Sequence, residues 1–116
     1  MLSALRVKIF RVSGDSMKPT VRHGDFVLAK KYKGEPPDGC VVVIRHHCLG
    51  NLIKRIKMIP GASNFIASGD NNLSDESSTM NVIEKHEILF RAKWRISPTG
   101  IQRLNINPDA PTEKFL

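Results

Sequence analysis

Residues 40–45 read CVVVIR, three valines and an isoleucine between a cysteine and an arginine. β-Branched side chains are stiff at χ1 and pack well on a pleated surface, so this run reads as a buried strand. Turn-formers bound it on both sides. Lys33–Gly39, KGEPPDG, is a loop by composition, and Leu49-Gly50-Asn51 reads as a hairpin turn. A buried strand needs others to pair with, and the remaining sequence supplies them.

Leu5–Val12 alternates apolar residues with charge and reads as a first strand. Phe26–Lys31, Leu52–Met58 and Asn64–Ser68 read as further strands, punctuated by His23-Gly24-Asp25 and Pro60-Gly61. Glu84–Ile88 suits either a helical turn or another strand, and Ile88–Ile96, which carries Trp94, reads as a closing strand. Ser68–Asn81 is almost free of apolar residues and reads as a surface loop, of a length that is often functional. No repeat, heptad or long amphipathic helix is present. The expectation is a mainly β, compact single domain with a sheet or barrel-like core over residues 1–104, followed by a flexible tail over 105–116.

A hydrophobic content of 41% in 116 residues suits one domain with a real core. The net charge of +7 permits nucleic acid, anionic lipid or an acidic protein as a partner. The basic residues are spread along the chain and few aromatics accompany them, so nucleic acid is not expected. No segment approaches the ~18–20 apolar residues that span a bilayer, and MLSALRVKIF lacks the apolar core of a signal peptide. The chain is expected to be soluble and cytoplasmic, with peripheral membrane association left open. Cys40 and Cys48 would lie about 26 Å apart on a straight strand, beyond the ~7 Å a disulfide tolerates. His46, His47 and Cys48 alternate across that strand end without metal-ligand spacing, so no metal or other cofactor is expected.

Two places remain where chemistry is conceivable. In VSGDSMKPT, Ser16 lies between Gly14, which frees the backbone, and Pro19, which stiffens it and steers Lys18 away from helix. A serine so held is either presented for chemistry or bonded to its own turn, and the turn alone does not decide. In LIKRIKMIPG, Leu52, Lys54 and Ile56 share one strand face, and Ile53, Arg55 and Lys57 the other. Lys54 thus has apolar neighbours on its own face. Either it is desolvated, which favours the neutral amine, or it snorkels to water. Ser–Lys pairs are a known variant of the activated serine nucleophile.

The order of these segments resembles the catalytic core of type I signal peptidases and LexA-like self-cleaving peptidases, a serine–lysine superfamily. SGDSMKPT is similar to its nucleophile box, HGDFVLAKK to the Gly-Asp box leading into a strand, and LIKRIKMIPG to the box that carries the base. SGDNNLSDESS resembles the Gly-Asp-Asn box of signal peptidases, and ILFRAKWRISP their last strand and Ser-Pro end. The resemblance covers roughly Val12 to Pro98.

It implies that Ser16 is the nucleophile, with its backbone N–H in the oxyanion hole, and that Lys54 is the general base. It further implies that Ser74 orients the lysine amine, and that Met17, Asp70 and Asn71 shape the loop or line the substrate cleft. Gly14 stands where some signal peptidases use a serine hydroxyl. Between Asn71 and Ser74 the loop is one residue shorter than the usual pattern, Glu76-Ser77-Ser78 stands in place of Asp-Ser-Arg, and Ala62 replaces an aspartate. The compact form is similar in size to small members such as nickel-type superoxide dismutase maturation proteases. Only Ser3-Ala4 upstream offers small residues for self-cleavage, so the expected activity is limited proteolysis of a protein precursor in trans. The alternative is a catalytically silent β module that binds protein.

Overall fold

A computed structural model describes residues 6–31, 34–46, 48–71, 81–106 and 114–115. Among these residues, nine strands form one antiparallel sheet: β1 (Val7–Arg11), β2 (Phe26–Lys30), β3 (Val41–His46), β4 (Gly50–Met58), β5 (Phe65–Ser68), β6 (Asn81–Ile83), β7 (Ile88–Ser97), β8 (Gly100–Arg103) and β9 (Lys114–Phe115). Their order is β1-β2-β7-β3-β4-β5-β6, and β8 branches from β7 to pair with β9. The mainly β expectation holds.

The valine run forms β3, and its side chains explain why it has no alternation. Val42 and Ile44 enter one apolar cluster with Cys40, Ile56, Phe65, Ala67, Ile83 and Ile88. Val41 enters a second with Val12, Met17, Val21, Val27, Ala92 and Leu104. Successive strand residues point to opposite faces, so a strand covered on both sides must be apolar at every position. Val41, Val42, Val43 and Ile44 are all buried.

Several expectations need correction. Ile88–Ser97 does not close the sheet but lies within it, pairing with β2, β3 and β8. The register jumps between Val43 and Ile44 and again between Leu28 and Ala29, so β7 carries an extra residue opposite each partner. Such bulges bend a strand and raise its twist, which lets one strand serve three partners. Gly50 and Asn51 belong to β4 rather than to a turn, because they continue the pairing with His46 and Arg45. Asn81 pairs with Ala67 in β6, so the polar loop ends before it. Lys85–Glu87 is a 3₁₀ turn. Within the stretch read as a tail, Lys114–Phe115 pairs with β8, and the Asn105 and Ile106 carbonyls accept hydrogen bonds from Arg55.

Candidate active site

Ser16 sits in a loop clamped at its base. The Val12 N–H donates to the Asp25 carbonyl and the Gly24 N–H to the Val12 carbonyl, each at 2.8 Å. Inside the clamp Gly14 has φ +86°, a conformation that a Cβ would strain, and its N–H donates to His23 Nδ1 at 3.0 Å. The Val21 N–H reaches back to the Met17 carbonyl, closing a turn around Lys18–Thr20. Met17 is 1% exposed and packs in the second cluster, so it anchors the loop in the core. Full burial of such a side chain stabilises by roughly 1.5–3 kcal/mol.

Lys54 lies in the middle of β4 opposite Val42, between Ile56 of the first apolar cluster and Leu52, which packs against it half-buried. Among the described residues four polar or charged residues are buried: Ser16, Asp25, Lys54 and Arg55. Asp25 is accounted for structurally. Its carboxylate accepts Arg95 Nε at 2.7 Å and the Arg22 N–H at 2.9 Å, which ties the Gly-Asp box to β7.

Arg55 is accounted for by a hub that also reaches Ser16. Arg55 Nε and Nη2 donate to the two oxygens of Asp70 at 2.9 and 2.8 Å, and Thr20 donates its hydroxyl to the same carboxylate. Arg55 Nη1 donates to the carbonyls of Gly39, Asn105 and Ile106 at 2.7–2.8 Å. The next residue after Asp70 completes the link. The Asn71 N–H donates to the Ser16 carbonyl at 2.9 Å, and Asn71 Nδ2 donates to the Asp15 carbonyl at 2.9 Å. The loop that presents Ser16 is therefore stitched, through Asn71, Asp70 and Thr20, to the residue adjacent to Lys54.

Asp70 was expected on a surface loop, yet its side chain is only 6% exposed. A paired carboxylate can be buried where an unpaired one cannot. Ser74 lies outside the described residues, and so does the Glu76-Ser77-Ser78 stretch. The parts that sequence reasoning missed are Arg55 and Thr20. Arg55 carried a signal, since a second cation in the middle of an apolar strand needs a partner. The identity of that partner, 15 residues away, had none.

Of the His46, His47 and Cys48 group, His47 lies outside the described residues. His46 Nδ1 accepts the N–H groups of Cys48 and Leu49, which caps the hairpin, and both cysteines are free thiols, Cys40 buried and Cys48 exposed. Beside the hub, a cavity of about 400 Å³ is lined by Gly39, Arg55, Lys57 and Ser68 among others, and its lining includes neither Ser16 nor Lys54. Among the described residues, no helix is long and apolar enough to cross a membrane.

The fold is a mainly β domain built on one antiparallel sheet, with a turn serine and a strand lysine both buried. A family model described as Peptidase S24-like matches residues 2–92, and the chain belongs to that family. Comparison with curated proteins and with solved structures gives no match.

Proposed function

We propose that this protein is a serine endopeptidase that cleaves a protein precursor in trans, with Ser16 as nucleophile and Lys54 as general base. One observation carries the reading. Ser16 and Lys54 are both buried, and the Asn71–Asp70–Arg55 link holds the Ser16 loop against the strand of Lys54.

In this mechanism the neutral Lys54 amine removes the Ser16 hydroxyl proton as Oγ attacks the peptide carbonyl carbon. The Ser16 backbone N–H donates to the developing oxyanion. The intermediate collapses with cleavage of the C–N bond, and Lys54 returns the proton to the leaving amine. Lys54 then activates water to release the acyl group. Ser74 is assigned to orient the amine. Substrates with small residues before the scissile bond fit the signal-peptidase resemblance.

The test offers the purified full chain such a peptide from neutral to alkaline pH, beside Ser16→Ala and Lys54→Met variants. Products and any acyl adduct are read by mass spectrometry. Each variant is expected to lose activity by roughly 10³-fold or more. Cleavage at the normal rate by either variant removes the dyad. A folded wild type that cleaves none of the peptides and acquires no adduct favours the silent binding module.

A further inference from the structure

Away from these residues, four cations meet where β2, β7 and β8 adjoin. Lys30 stands directly opposite Arg91, and Trp94 directly opposite Arg103. Like charges opposed on neighbouring strands destabilise a sheet, so the Lys30–Arg91 pairing has no return in stability. Lys93 joins them because of the bulge. Leu28 pairs with Trp94 and Ala29 with Ala92, leaving Lys93 unopposed on β2, and bulges commonly re-aim the side chain they carry. Among the described residues, none of the four cations forms an ion pair with a carboxylate.

The space between three of them has the size of an oxyanion. A cavity of about 90 Å³ is lined by Arg91, Lys93, Trp94, Arg103 and Leu104. That is room for about three waters at ~30 Å³ each. The Arg103 guanidinium carbon lies 5.9 Å from the centroid of the Trp94 ring, which braces the group over the indole. A neighbouring cavity of about 110 Å³ shares Lys93 and Trp94, adds Lys30, and is otherwise lined by the apolar groups of Val7, Leu28 and Ala29. Three cations line the first compartment, and apolar groups make up most of the lining of the second. Burial, then the charges of Arg91, Lys30 and Arg103, hold the Lys93 ammonium below its ordinary pKa, a penalty that a bound anion would relieve.

We infer that this pair of cavities binds a phosphate group, with Arg91, Lys93 and Arg103 as donors and the adjoining apolar compartment accepting what the phosphate is esterified to. None of these residues is assigned to the peptidase mechanism, so the site stands independently of it.

Trp94 is the sole tryptophan, so its emission reads the cavity directly. The full chain is titrated at constant ionic strength with inorganic phosphate, with phosphatidylglycerol vesicles and with phosphatidylcholine vesicles. Saturable binding is expected for phosphate or for the anionic vesicles, and the neutral vesicles should give none. Saturation by inorganic phosphate identifies the free ion as the source, and saturation by phosphatidylglycerol alone identifies a lipid headgroup. Lys93→Gln and Arg103→Gln should each weaken binding roughly ten-fold, the effect of one charge-assisted hydrogen bond. Lys93→Arg should retain affinity, and Arg45→Gln, which removes the same charge from β3, should leave it unchanged. No saturable binding, equal weakening by Arg45→Gln, or binding confined to a short DNA duplex would overturn the assignment.

Discussion

The link between Arg55 and Asp70 makes a prediction whose sign depends on background. The Arg55 side chain is 9% exposed and that of Asp70 is 6% exposed, and two parallel hydrogen bonds join them. Removing one member of a buried pair typically costs about 3–5 kcal/mol, because the other charge is left without compensation. For Asp70→Asn the lower end applies, since three carbonyls still accept from the same guanidinium. At about 4 °C per kcal/mol for a chain of this length, a loss of about 3 kcal/mol lowers Tm by about 12 °C.

Arg55→Met should cost more, because it strands a buried carboxylate and leaves those three carbonyls without their donor. In that background the second change reverses its effect. With no cation left, an amide at position 70 is cheaper to bury than a carboxylate, so adding Asp70→Asn should be neutral or stabilising. Urea unfolding followed by Trp94 emission gives all four corners of the cycle, provided m is unchanged. If Asp70→Asn costs the same in both backgrounds to within about 0.5 kcal/mol, the two residues do not act as a unit and the hub reasoning fails.

Other consequences can be checked singly. Gly39→Ala should destabilise far more than Gly61→Ala. Both glycines have positive φ, but a Cβ at Gly39 would lie 2.8 Å from the Ile106 carbonyl oxygen, whereas one at Gly61 meets nothing within 4 Å. Comparative thermal melts decide. Met17→Ala should cost about 2–5 kcal/mol by chemical denaturation, since the side chain is 1% exposed in the second core cluster. Native alkylation should add one label, at exposed Cys48, as mapped by mass spectrometry. Burial pushes the Cys40 thiol above its ordinary pKa, with nearby Arg91 working against the shift. The unfolded chain therefore deprotonates first as pH rises, and the contribution of Cys40 to stability is present below the ordinary thiol pKa and falls above it.

What the sequence discloses here is mostly local. The β-branched run of β3 and the turn residues around Ser16 act through their own backbones, and both are found where their chemistry puts them. The apolar flanks of Lys54 leave both burial and snorkelling open, and the structure buries it. The misreadings arise where distant segments decide. Ile88–Ile96 alternates well enough for a strand, but the bulges and third partner of β7 come from β2, β3 and β8. Asp70 sits in a polar stretch whose composition predicts water around it, and its pairing with Arg55 and Thr20 offsets the cost of its burial.

That last case bears on how the two proposed catalytic groups are positioned. Ser16 is on a loop and Lys54 on a strand, and loops are the more mobile of the two. A nucleophile misplaced by about 1 Å can lose on the order of 10²-fold in rate. The Asn71 N–H fixes the carbonyl of Ser16 itself, and Asn71 Nδ2 fixes that of Asp15. Asn71→Ala retains the first bond, a backbone contact, and removes the second. It should therefore lower kcat while leaving the protein folded and KM little changed. Asp70→Asn disturbs the anchor beneath both bonds and should lower kcat further at a temperature well below its reduced Tm. Steady-state kinetics on a peptide substrate separate the two. Equal kcat for Asn71→Ala and wild type would mean that the Asn71 Nδ2 bond to Asp15 is dispensable for the Ser16 geometry, and wild-type kcat for Asp70→Asn would mean that the Asp70–Arg55 hub serves stability alone.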